Sequence, residues 1–176
     1  MSSSQPVLEM THPRGHIEAP ARYRRSARAK ARRIGRNLVL EALEPRTLLS
    51  TVYWSVNSSG DWDVPTNWSS GTLPGPGDDV VIDKPGVTVT YRIGSSTIHS
   101  LDDQDAFVLS GGTLTASTTL QVKGSFSLAG GTLSSADVLA STTIQATTWG
   151  GTLDGVTLEG NLDLATNSSS VTVTGG

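Results

Sequence analysis

The chain has 176 residues and no cysteine, with 36% apolar and 5% aromatic residues, 19 glycines and 8 prolines. That length holds one domain with an appendage or two very small domains. The missing thiols exclude disulfides, thiolate metal sites and cysteine nucleophiles, and no run reaches the ~18–20 continuous apolar residues of a membrane-spanning helix. The net charge of -3 conceals two segments of opposite sign. Residues 1–50 hold ten Lys/Arg against four Glu, giving +6, and residues 51–176 hold three basic against twelve acidic groups, giving -9. Such asymmetry marks a tail attached to a domain of another kind.

Residues 1–21 show no hydrophobic period and read as disordered. Eight basic side chains follow between Arg22 and Arg36. Mixed with the helix formers Ala27, Ala29 and Ala31, they predict a helix over 22–43 that stops before Pro45. The cluster holds a single aromatic, Tyr23, and neither zinc-ligand spacing nor a helix-turn-helix pattern, so nucleic acid is not its expected partner. A solvated charged tail and a targeting segment are the remaining readings.

The stretch Leu43-Glu44-Pro45-Arg46-Thr47-Leu48-Leu49 resembles the LEPR-XLL motif found at the N-termini of very large surface or secreted proteins of planctomycete-type bacteria. Leu43, Glu44, Pro45, Arg46, Leu48 and Leu49 are its named letters. The resemblance spans about a dozen residues and implies that 1–50 is a targeting tail addressed to export machinery, and that the protein is secreted or held at the cell surface. An ordinary secretory signal contains ~7–15 apolar residues in a row, whereas Leu38-Val39-Leu40 is interrupted by Glu41. Export is therefore implied by the resemblance alone.

Residues 51–83 form a second unit carrying Trp54, Trp62 and Trp68. Pro65 and the run Leu73-Pro74-Gly75-Pro76-Gly77 forbid helix and enforce turns, and Asp78 to Asp83 reads as a short buried strand bracketed by carboxylates. The layout is similar to the Trp-rich opening that precedes β-solenoids in autotransporter-like and planctomycete surface proteins. That likeness implies that Trp54, Trp62 and Trp68 cap the first coil. Stacking of the same rings on sugars is the competing reading; tryptophan is mostly buried, which favours the cap. Asp61, Asp63, Asp78, Asp79 and Asp83 are oxygen donors of the kind calcium takes. With neither an EF-hand loop nor a Gly-Asp nonapeptide repeat around them, they read as solvated turn carboxylates.

Over residues 84–176 the unit Gly-Gly-Thr-Leu recurs at Gly111, Gly130 and Gly150, at intervals of 19 and 20 residues. A fixed period near twenty points to a solenoid, and alternation such as Ser125-Phe126-Ser127-Leu128 sends apolar side chains inward and hydroxyls outward. The expectation is an all-β fold, a right-handed parallel β-helix of ~20-residue coils, four or five of them, with Leu114, Leu133 and Leu153 stacked at equivalent inward positions. An antiparallel sandwich also tolerates short strands, but nothing obliges it to keep a period.

No catalytic constellation emerges. His12 and His16 lie in the tail and His99 is isolated; Asp102, Asp103 and Asp105, with Arg92 near in sequence, form the only tight carboxylate group and read as a polar turn. The expected protein is a non-enzymatic, adhesion-type structural protein without cofactor or metal. The alternative is a carbohydrate-active β-helix enzyme or sugar-binding module. The pattern breaks off at Val171-Thr172-Val173-Thr174-Gly175-Gly176. The expected partners are therefore a continuing solenoid or a second copy docked on the C-terminal coil, and a surface polysaccharide.

Overall fold

In the computed structural model, residues 48–176 are described, and parallel strands wound into a solenoid account for them. The helix expected over 22–43 and the motif letters Leu43, Glu44, Pro45 and Arg46 lie outside the described residues. Leu48 and Leu49 precede the first strand and are exposed.

The first coil has two strands, β1 (Ser50–Tyr53) and β2 (Gly60–Asp61), followed by a single 3₁₀ turn at Pro65–Asn67. Five three-stranded coils are stacked on it. The second is β3 (Asp78–Ile82), β4 (Thr88–Tyr91) and β5 (Ser95–Ile98); the third is β6 (Ser100–Asp103), β7 (Ala106–Leu109) and β8 (Thr113–Ala116). The fourth is β9 (Thr119–Val122), β10 (Ser125–Leu128) and β11 (Thr132–Ser134); the fifth is β12 (Asp137–Val138), β13 (Thr143–Ala146) and β14 (Thr152–Asp154). The sixth is β15 (Thr157–Leu158), β16 (Asn161–Asp163) and β17 (Thr172–Thr174). Each of these five coils contributes one strand to each of three sheets and the first coil to two of them, in the orders β1-β3-β6-β9-β12-β15, β2-β4-β7-β10-β13-β16 and β5-β8-β11-β14-β17.

All strand pairings are parallel, which excludes the sandwich. Paired positions recur about every nineteen residues, as in the column Leu101, Leu120, Val138 and Leu158. Leu114, Leu133 and Leu153 stand in direct register on β8, β11 and β14, all buried, as the Gly-Gly-Thr-Leu spacing requires. A second interior column runs Val89, Phe107, Phe126, Ile144, Leu162 through β4, β7, β10, β13 and β16. Its two phenyl rings meet edge to face with centroids 5.5 Å apart. One coil cannot enclose its own apolar side chains, so these columns exist only because neighbours stack.

The Gly-Gly corners have two separate causes, seen at Gly150 and Gly151. Gly150 has φ +69°, a conformation side-chain-bearing residues avoid. Gly151 needs no special φ; a Cβ there would lie 2.6 Å from Leu128 Cδ1 in the coil beneath. One glycine turns the chain and the other lets two coils approach.

Parallel stacking begins at Ser50, because β1 pairs with β3 and β3 with β6. The Trp-bearing segment 51–83 thus supplies sides of the first two coils as well as the tryptophans. Its register step is longer than the others, from Val52 to Val80, and the extra chain forms the 3₁₀ turn and the return of Trp68 to an antiparallel bridge with Trp54.

Candidate functional surface

Trp54, Trp62 and Trp68 are buried to 2% exposure or less. Trp68 meets Trp54 and Trp62 edge to face, with centroids at 5.0 and 4.6 Å, and Trp62 continues the contact onto Tyr91 and Phe107 in the next two coils. The Trp68 indole N–H donates to the Trp62 carbonyl at 2.8 Å and that of Trp54 to the Ser58 carbonyl at 3.2 Å. Rings packed this way fill the interior of the first coil and offer no face to a sugar.

The five carboxylates considered for calcium sit with other partners. Asp61 and Asp63 flank Arg92, whose Nε lies 3.1 and 3.0 Å from their oxygens and whose Nη2 donates to Asp63 at 3.1 Å. Asp78 accepts from the Ser50 hydroxyl and the Gly75 amide, and Asp83 faces Lys84 at 3.6 Å. Asp79 accepts from Ser100 and pairs with His99 Nδ1 at 2.7 Å; the Ser100 hydrogen bond, followed by that to His99, holds its carboxyl below the usual range. His99 and Ser100 both bond to the same Asp79 oxygen, so the three do not relay a proton from hydroxyl through imidazole to carboxylate. Among the described residues no group of three His, Asp or Glu side chains has a metal-holding arrangement.

The stretch Leu101 to Asp105, expected as a polar turn, is mostly strand. Leu101 faces inward, Asp102 outward and Asp103 inward again, and only Gln104 and Asp105 make the corner to β7. Asp102 lies 3.6 Å from Lys123 and accepts from Gln104 at 2.8 Å. Arg92 is engaged with Asp61 and Asp63 instead of this group.

Asp103 sits in an interior column between Ile82 of the coil below and Val122 of the coil above. Its side chain is fully buried. Oδ1 accepts from the Asp105 amide at 2.9 Å, and Oδ2 has no partner among the described residues. Burial pushes the carboxyl up to about 6, opposed by the Asp105 amide and assisted by repulsion from Asp105 and Asp102. The folded state therefore holds the proton more tightly than the unfolded chain, where an aspartate titrates near ~3.9. The contribution of this group to stability is greatest below about pH 4, falls between about pH 4 and 6, and is level above, a loss of roughly 3 kcal/mol. Chemical denaturation of the wild type at acid and neutral pH should show that loss, and Asp103→Asn, neutral throughout, should lack it. Equal pH slopes in the two proteins would refute the assignment.

On the outer faces, the sheet containing β8, β11 and β14 presents two ranks of hydroxyls in register, Thr113 over Thr132 over Thr152, and Thr115 over Ser134. The fourth tryptophan behaves unlike the other three. Trp149, at the corner between β13 and β14, is 82% exposed.

No family model, curated protein or solved structure matches the chain.

Proposed function

We propose that the protein is a non-enzymatic structural protein of the cell surface or secreted space, adhesion-type, in which a targeting tail leads into a β-solenoid. The fold supports the reading. A parallel solenoid converts a chain of small residues into a rod whose outward positions carry Thr, Ser, Asn and Gln. Five of its carboxylates, Asp61, Asp63, Asp79, Asp83 and Asp102, pair with Arg92, His99, Lys84 and Lys123 at the surface, and the others leave residues 51–176 strongly acidic, a balance that favours solubility. Trp54, Trp62 and Trp68 act as the cap of the first coil, as their burial favours. The last coil, with Leu164 and Val173 exposed, offers three strand edges to a further coil or a second copy.

The basic tail and the LEPR-XLL resemblance at Leu43 to Leu49 supply the export half of the proposal, with export machinery as partner. Replacing Pro45-Arg46 by Ala-Ala in a native-type host and fractionating the cells should leave the protein inside; unchanged surface delivery would overturn this half.

The second reading, a sugar-binding module on the same rod, has one observation in its favour. An indole as exposed as that of Trp149 is an available stacking platform, beside neutral hydroxyls of Thr147 and Thr148.

A further inference from the structure

We propose that Asp103 is the latch of a proton-operated corner. With its carboxyl neutral, the turn at Gln104 and Asp105 closes the third coil; with the carboxyl ionised, that turn opens while the coils on either side stay paired.

The geometry makes ionisation in place untenable. Asp103 is completely buried, its register neighbours Ile82 and Val122 are aliphatic, and Oδ2 has no hydrogen-bond partner among the described residues. An isolated carboxylate in such surroundings is expelled or neutralised. Among the described residues no counter-ion stands ready inside. Asp102, on the same strand, points outward and engages Lys123. Asp105, at the corner itself, accepts from the Gly86 amide at 2.8 Å. The corner beyond β3 brings Asp83 and Lys84, paired with each other, and the corner beyond β9 brings Lys123, which also donates to Gln104 at 2.9 Å. Thus the nearby anions repel the Asp103 charge and both nearby lysines are held at the surface by other groups.

The corner is the shortest way out. Asp103 is the last residue of β6, with only two residues before β7, and Gln104 is exposed. Beside the bonds from the Gly86 amide to Asp105 and from Lys123 Nζ to Gln104, three hydrogen bonds of 2.9 Å each hold it: Gln104 N–H to the Ile82 carbonyl, Asp105 N–H to Asp103 Oδ1, and Lys123 N–H to the Asp103 carbonyl. Opening releases them and brings the carboxylate to water beside the Lys123 ammonium. The remaining strands of the third coil keep their ladders, because β7 and β8 are paired on both sides. Acid therefore closes this corner and neutral pH opens it, a consequence independent of where the protein acts.

Amide hydrogen exchange of the full chain, followed by NMR between about pH 4.5 and 7.5 and corrected for intrinsic rates, tests the latch. Protection at Asp105, Gln104 and Lys123 should fall up to about 100-fold across that range, the factor that a two-unit change in affinity for one proton yields. Thr152, whose amide bonds to Gly131 in the opposite sheet, should keep its protection. In Asp103→Asn all four should be level. Matching pH dependence in wild type and variant, or a parallel loss at Thr152, would overturn the proposal. Should the variant fail to fold, ¹³C titration of the Asp103 carboxyl in the wild type decides: it must track the loss of protection at Asp105, and a titration that does not coincide refutes the latch.

Discussion

Truncation of Phe126 to alanine is expected to cost about 4 kcal/mol of folding stability, the middle of the range for Phe→Ala in cores. Phe126 is fully buried at the middle of the column Val89, Phe107, Phe126, Ile144, Leu162. The cost of such a truncation depends on how far the surroundings collapse into the vacated space. Here they cannot follow, because hydrogen bonds fix the spacing of successive coils at ~4.8 Å and Phe107 and Ile144 are held in register above and below. The loss of the edge-to-face contact with Phe107 adds to the transfer term. Urea denaturation measures it, with Ser127→Ala, on the same strand but facing out, as the control expected within ~0.5 kcal/mol of wild type. A reduced denaturant slope in Phe126→Ala would add that the coils on its two sides unfold separately, as a quasi-one-dimensional stack permits. A cost below about 1.5 kcal/mol would mean that the column relaxes and that register does not set the spacing.

The second large effect concerns a residue with no side chain. Gly124 lies at the corner between β9 and β10, directly over the corner of the coil beneath. A Cβ at this position would penetrate the Asp105 carbonyl oxygen and approach Asp105 Cα to 2.9 Å. The obstacle is backbone, so no rotamer change relieves it. Gly124→Ala should cost about 3 kcal/mol, the upper end for overpacking a filled interior, read from the shift in thermal or urea midpoint. Gly71 provides the comparison. It has φ +68° and open space around it, so Gly71→Ala meets only the left-handed backbone penalty of ~1–2 kcal/mol. If the two variants lose the same stability, or Gly71→Ala loses more, close approach of the coils is not what position 124 enforces.

Much of the fold was legible before any coordinate. The recurrence of Gly-Gly-Thr-Leu at Gly111, Gly130 and Gly150 announces the period, and the alternation in Ser125-Phe126-Ser127-Leu128 announces which side chains face in. A solenoid whose partners lie one period apart follows from those two observations, since only stacking encloses a stripe of inward leucines. The same parity carried a signal about Asp103 that its neighbours obscured. Leu101 faces inward, and two residues on along a strand lies Asp103 on the same side; the run Asp102-Asp103-Gln104-Asp105 reads as a surface turn only if the strand is taken to end at Leu101. Pairs separated by a period, such as Asp79 with Ser100, were likewise within reach of the repeat, because register makes them neighbours.

Other features belong to the tertiary structure alone. Between Val52 and Val80 the chain departs from the period, so no repeat argument says that Arg92 meets Asp61 and Asp63 or that Trp68 returns to Trp54. The fate of the tryptophans is decided in the same way. Composition treats all four alike, yet three pack on one another, Trp62 among them meeting Tyr91 and Phe107, while Trp149 stands in solvent. Local sequence determines period and facing, because those depend on strand geometry that every coil repeats. Which side chain fills a particular coil's interior depends on chain length between strands and on what the neighbouring coil has already placed there, and only the folded stack supplies both.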